Sequence, residues 1–178
     1  VMTSGNRTSE PMATVPADAM ERLSGIADLF LTHDRPVARR CDDSVAAVLA
    51  SRTTILRRAR GFVPRPIRLA TPVAEPILAV GGQLKGAICI AAGQEAWLGP
   101  HLGDLDHAAA FQAFEESVEQ LEGMLGVRPE IVAHDLHPGY HSTAWALRRS
   151  ARSRVAVQHH HAHIGAALAE HREEGPVL

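Results

Sequence analysis

Val155-Ala-Val-Gln-His-His-His-Ala-His-Ile164 is the stretch on which the reading of this chain turns. The apolar run Val155 to Val157 reads as a strand and empties into His159, His160, His161 and His163, and Ile164 to His171 reads as helix. Strand, polar loop and helix in that order are the repeating unit of an α/β fold, in which ligands gather beyond the C-terminal ends of the strands. On a helix His159 and His163 lie on one face one turn apart, so both can grip a single metal ion, whereas His160 and His161 cannot share that face. Two ligands do not complete a metal site, and a run of histidines can also be an accident of composition. A purification tag is a poor reading, because the run is internal, interrupted by Ala162 and fused to a helix.

Length and composition set the limits. The 178 residues have room for one ordinary domain or parts of two. A hydrophobic content of 46% with 21% charged residues belongs to a globular chain. No apolar run approaches the roughly 18 residues of a membrane helix, and no signal segment opens the chain, so no membrane partner is expected. Cys41 and Cys89 are far apart and form no C-x-x-C pair, which fits a reduced, cytoplasmic protein and excludes a cysteine zinc site here. Residues 1–69 carry a net charge of +4 and residues 70–178 a net of −6. Nine of the arginines fall in 35–68; that excess reads either as an anion or nucleotide site or as a solvated face. Lys85 is the single lysine among 18 basic residues. Both ends read as cut, Val1-Met2-Thr3 as the tail of a strand and Val177-Leu178 as the start of an apolar run after the turn Glu173–Pro176, so an internal fragment is expected.

Taken in order, Thr3-Ser-Gly-Asn6 is a polar turn whose donors suit phosphate oxygens, though an ordinary turn has the same composition. Pro16 to Ser24 reads as helix and Ile26 to Thr32 as a buried strand. Val45 to Leu49 and Thr53 to Leu56 make a hairpin through Ala50-Ser-Arg52. Four prolines punctuate 64–76, and Phe62 to Glu75 reads as a linker between two regions. Ile77–Val80, Ala87–Ala91 and Glu95–Leu98 suggest a three-stranded meander. Phe111, Phe114, Val118, Leu121 and Leu125 form the apolar stripe of the clearest helix, stopped by Gly126. Ile131–Ala133, the helix Tyr140–Arg149, the Val155 strand and the His helix then alternate, which predicts parallel strands with His134–His137 and His159–His163 at their C-terminal ends.

With these motifs quoted, a family emerges. Thr3-Ser-Gly-Asn6 with Glu10-Pro11 resembles the late signature of YrdC-like domains, which bind ATP and make carbamoyl-adenylate-type intermediates. Leu31-Thr-His-Asp-Arg-Pro36 and Arg40-Cys-Asp-Asp-Ser-Val45 resemble the version found in the HypF family, carbamoyltransferases of NiFe-hydrogenase maturation. Leu84-Lys85, His101-Leu-Gly-Asp-Leu105, His134-Asp-Leu-His-Pro138 with Tyr140, and Val157-Gln-His-His-His-Ala-His-Ile164 resemble, in the same order, the second catalytic domain of that family, an ASKHA-type, TsaD-like fold. The fold class implied is α/β: the C-terminal part of a YrdC-like domain over 1–62, a linker over 63–75, and the N-terminal part of a TsaD-like domain over 76–178.

The resemblance implies His159 and His163 as ligands of a divalent metal, iron or zinc, and Ser4, Asn6, Ser44 and Arg57 as lining a nucleotide pocket, with Arg35 and Arg40 as further candidates. His160, His161, Lys85 and Asp135 are candidates for an outer shell or for substrate contact. The remaining metal ligands, an acylphosphatase-like domain, a structural zinc region and the front of the YrdC-like domain are expected outside 1–178, so this stretch alone is expected to be inactive. The implied chemistry joins carbamate, released from carbamoyl phosphate, to the AMP of ATP with loss of pyrophosphate. Arginine and hydroxyl donors stabilise charge on the phosphates, and the carbamoyl group then passes to the C-terminal cysteine of the partner HypE. No nucleic-acid partner is expected. Three rival readings remain at this stage: a tRNA threonylcarbamoyladenosine enzyme built from the same two folds, a non-enzymatic metal-delivery module, and a metallohydrolase with Asp135 or Asp104 as third ligand.

Overall fold

The structure, a computed structural model, describes residues 4–8, 10–171 and 173. The strand expected at Val1–Thr3 and the apolar run expected at Val177-Leu178 lie outside the described residues, as do all but the first residue of the turn Glu173–Pro176. The chain is a mixed α/β structure with ten elements among the described residues: α1 (Pro16–Leu23), β1 (Val45–Leu49), β2 (Arg52–Arg57), β3 (Ile67–Ala79), β4 (Cys89–Leu98), α2 (Ala108–Leu125), β5 (Ile131–Asp135), α3 (His141–Arg148), β6 (Ser153–Val157) and α4 (His159–His171).

β1 and β2 form a separate antiparallel pair. Their turn places Ala50 and Ser51 at φ 49° and 63°, the left-handed region that a two-residue hairpin turn needs to match the twist of its strands. The other four strands form one sheet in the order β4-β3-β5-β6. β4 runs antiparallel to β3, while β3, β5 and β6 are parallel. The parallel crossover β5–α3–β6 leaves the ends of β5 and β6 side by side, with Asp135 paired in register with Val157.

The core lies between this sheet and α2. Phe114, Val118 and Leu121 of the helix stripe meet Leu78, Val80, Ile88, Ile90 and Val132, with Ala146 of α3 closing one side. Phe114 sets its ring edge-on to Trp145 at 5.1 Å. Each large apolar side chain fully removed from water here contributes about 1.5–3 kcal/mol. Gly126 ends α2 at φ 66°, and its N–H donates to the Glu122 carbonyl, a left-handed cap that glycine adopts without steric cost. A guanidinium tie crosses the back of the same helix: Arg149 pairs with Glu122 and lies over the Trp145 ring.

Three expectations are corrected. Ile26–Thr32 forms no strand: it is irregular, and Leu29 and Leu31 are 90% and 102% exposed. An apolar run becomes a strand only where a neighbour takes up its backbone hydrogen bonds. The linker predicted over 62–75 is structured in its second half, because residues 67–75 are the front of β3, paired to β4 from Ile67↔Ala96 to Val73↔Gly93. The register shifts on both sides of Val73 let prolines 72 and 76 fit, since proline is tolerated at irregular or edge positions of a ladder. The meander of three short strands is a two-stranded hairpin. Gly93, between the second and third of those expected strands, sits inside β4 at φ 56°, where the pairing is irregular.

Candidate functional site

At the C-terminal end of β6, Gln158 turns the chain into α4: its Oε1 accepts the backbone N–H groups of His160 (2.7 Å) and His161 (3.3 Å), which a helix leaves open in its first turn. The helix thus begins within the His run, and the rings of His159 and His163 converge. Their Nε2 atoms are 3.2 Å apart. Two imidazoles bound at about 2.05 Å to one tetrahedral ion would place these atoms roughly 3.3 Å apart, so the donor pair fits a metal.

The other edge of the His159 ring is fixed from β5. Asp135 Oδ2 lies 2.6 Å from His159 Nδ1, and its Oδ1 accepts the backbone N–H of His137 at 2.8 Å. The carboxylate side chain is 8% exposed. Burial alone would raise its pKa; the hydrogen bonds from the His137 amide and the His159 ring, with the nearby histidine charge, outweigh that and hold it below the ordinary carboxylate range. A carboxylate on Nδ1 keeps the proton there and leaves the Nε2 lone pair free, as metal-binding histidines require. Tyr140, stacked on His137 at 4.3 Å, approaches His159 edge-on at 6.5 Å. Gly82, after the end of β3, completes the wall, with its Cα hydrogen side facing the His159 and Tyr140 rings.

Asp135 is therefore excluded as a third ligand on the His159–His163 side, because it faces Nδ1 rather than Nε2. Asp104 lines a different cavity. Among the described residues no group of three metal-binding side chains forms. His160 rests on the Gln158 side chain (2.8 Å), and His161 is exposed.

The nucleotide candidates divide. Ser4, Asn6, Arg40 and Arg57 line one cavity of about 510 Å³, closed on the far side by the His101–Asp104 loop and by Glu116 and Gln120 of α2. Arg35 and Ser44 do not line it. The Ser44 hydroxyl is committed to the backbone, donating to the Arg60 carbonyl (2.8 Å) and accepting the Ala59 N–H (2.9 Å). Asn6 gives its amide protons to the Arg7 and Glu10 carbonyls, while its buried Oδ1 has no partner among the described residues. Arg22 anchors this turn by pairing with Glu10 and Asp18 and donating to the Pro11 carbonyl. Arg40 is partly spent, with Nη1 on Glu116 at 2.6 Å and Nε on the Met12 carbonyl. Lys85 stands apart from the His pair, beside Arg57 and His101 in a neighbouring cavity of about 390 Å³.

Gly82 beside the His pair carried no signal in the sequence, whereas Tyr140 beside that pair and His101 between the two cavities both belong to the quoted motifs without a role of their own.

Comparison with known proteins places this geometry in context. Residues 72–170 match the family model of the HypF Kae1-like domain, and residues 1–59 match the Sua5, YciO and YrdC model, described as telomere recombination. The chain is 47% identical to carbamoyltransferase HypF2 of Cupriavidus necator over all of its own length and 23% of that protein, and 43% identical to carbamoyltransferase HypF of Synechocystis over 96% and 22%. It thus spans less than a quarter of these relatives. A crystal structure of full-length HypF in its phosphate- and nucleotide-bound form superposes with a TM-score of 0.94 at 44% identity, over 99% of this chain and 28% of that one. The HypF of T. kodakarensis superposes at 0.87 and 30% identity, over 97% and 23%. With the HypF-specific model covering more than half of its residues and the His pair set at the end of β6, the chain belongs to the HypF family.

Proposed function

We propose that the intact protein is a carbamoyltransferase of the cytoplasm. It uses carbamoyl phosphate and ATP to form carbamoyl-adenylate and passes the carbamoyl group to the C-terminal cysteine of HypE in hydrogenase maturation. In this reading residues 1–62 close the nucleotide side, 76–178 open the transfer side and 63–75 join them. The observation that carries it is the presence, in one chain, of a nucleotide-sized cavity lined by Ser4, Asn6, Arg40 and Arg57 and of a converging pair of imidazole nitrogens.

Ser4 and Arg57 offer hydroxyl and guanidinium donors to phosphate oxygens, where charge grows as pyrophosphate leaves. Arg40 braces the same wall through Glu116. His159 and His163 would hold a divalent metal, iron or zinc, which when bound polarises an oxygen of the substrate as a Lewis acid. Asp135 keeps the His159 proton on Nδ1 and fixes the orientation of the ring. Exchange of labelled pyrophosphate into ATP by the intact protein should require carbamoyl phosphate. Exchange driven by threonine and bicarbonate instead would overturn the reading in favour of tRNA chemistry. Metal content should fall in His159→Ala and His163→Ala and hold in His161→Ala; equal loss in all three would refute the two-ligand face.

A further inference from the structure

The neighbouring cavity of about 390 Å³ gathers Arg57 and Arg58 from the β1–β2 side and Lys85 and His101 from the other, against an apolar wall that includes Val45 and Leu56. Among the described residues neither Arg57 nor Lys85 makes an ion pair or a side-chain hydrogen bond. Arg58 gives Nη2 to the Phe62 and Arg65 carbonyls, contacts that leave its charge uncompensated. Three cations around one hollow repel each other unless an anion joins them.

Lys85 is held in place at a cost. Its backbone lies at φ 51°, a left-handed conformation that residues other than glycine rarely adopt. The turn is fixed by its neighbour: Gly86 N–H donates to the Gly103 carbonyl at 2.9 Å, and Leu102 N–H to the Gly86 carbonyl at 2.8 Å. That bridge sets Lys85 beside His101. Strain retained at one residue while its charge stays unpaired fits a position kept for a ligand. Burial first, then the charges of Arg57 and Lys85, hold the His101 ring below its ordinary pKa against an opposing pull from Asp42. Near neutral pH it is therefore an uncharged ring with one N–H to donate. Arg57 and His101 also line the nucleotide cavity, so the two hollows meet at these residues.

We propose that Lys85, with Arg57 and His101, forms a phosphate-class anion site that adjoins the nucleotide cavity and takes a phosphate or pyrophosphate group. The ligand class follows from the donors; that the phosphates belong to an adenylation reaction rests on the function proposed above. Two sources share this chemistry, the phosphate tail of a nucleotide and a separate phosphate.

Titration calorimetry on the intact protein separates these cases, with inorganic pyrophosphate, inorganic phosphate, AMP and a non-hydrolysable ATP analogue as probes. Lys85→Gly keeps the left-handed turn without its steric cost, so loss of binding in that variant is not loss of fold. Pyrophosphate binding should weaken on the order of tenfold in Lys85→Gly, as for removal of one charged partner of an anion, and less in Lys85→Arg. AMP binding should not change. Parallel loss for the ATP analogue identifies the nucleotide tail; loss confined to free phosphate or pyrophosphate identifies a separate anion. The proposal is overturned if the parent protein binds none of the phosphate probes, or if Lys85→Gly binds all of them within twofold of the parent. Because binding is read without turnover, a protein that holds pyrophosphate through Lys85 yet shows no carbamoyl-phosphate-dependent exchange would sink the function proposed above and leave this site standing.

Discussion

Replacing Asp135 by asparagine tests the architecture of the His pair with almost no change of volume. In the native arrangement Oδ2 accepts from His159 Nδ1 at 2.6 Å and Oδ1 accepts from the His137 amide at 2.8 Å. The substituted amide has one acceptor and one NH2, so it cannot serve both donors. With its oxygen left on His137, the NH2 faces Nδ1, and the His159 ring must move its proton to Nε2 to accept from it. That proton then points at His163 Nε2, 3.2 Å away, and turns a pair of open donors into an internal hydrogen bond. Loss of such an outer carboxylate lowers metal affinity about 10- to 100-fold, equivalent to roughly 1.4–2.7 kcal/mol. Competition against a chromogenic chelator, on intact protein checked for unchanged circular dichroism, measures it directly. An affinity for iron or zinc within twofold of the parent would refute the claim that Asp135 sets the ring's proton.

Gly81→Ala should destabilise the protein by at least the 1–2 kcal/mol of a left-handed side chain, because φ is 69° and a Cβ would stand 2.5 Å from the Ala87 carbonyl oxygen; thermal melting reads the loss. Burial raises both thiols, Cys41 in the cavity proposed for the nucleotide and, more strongly, Cys89, which is pushed up to about 11; alkylation near pH 8 should label Cys41 first, and ATP should slow that labelling alone. Stability should rise as pH climbs toward 6.5, since unfolded His101 takes up its proton before the folded ring does. Chemical denaturation of His101→Gln across that interval should show a flatter slope.

Periodicity made α2 readable, because Phe114, Val118 and Leu121 repeat at helical spacing and all turn inward. The alternation of strands and helices after Ile131 likewise placed both histidine loops at strand ends. What stayed hidden depends on partners distant in sequence. Ile26–Thr32 has the composition of a strand and no pairing strand among the described residues, while Ile67–Glu75 has the prolines of a linker and finds β4 alongside it. In the site, the i, i+4 spacing of His159 and His163 was legible, but the role of Asp135 depends on two parallel strands ending together, 24 residues apart in sequence. Ser44 shows the opposite limit: a hydroxyl suited to phosphate is used to satisfy a turn.

β3 links the two halves of the chain as a paired strand of 13 residues, roughly 40 Å long if fully extended. A flexible tether of the same length would let the two sites sample many separations, and the effective concentration of one at the other would fall as the tether grew. β3 is instead hydrogen-bonded to β4, and to β5 over Ile77–Ala79, so its length is fixed within the sheet that carries the His pair. Length changes are therefore unequal along it. The irregular pairing around Val73 can absorb an added residue, whereas a deletion within Ile77–Ala79 would turn Leu78 out of the core and pull Gly82 off the His159 ring.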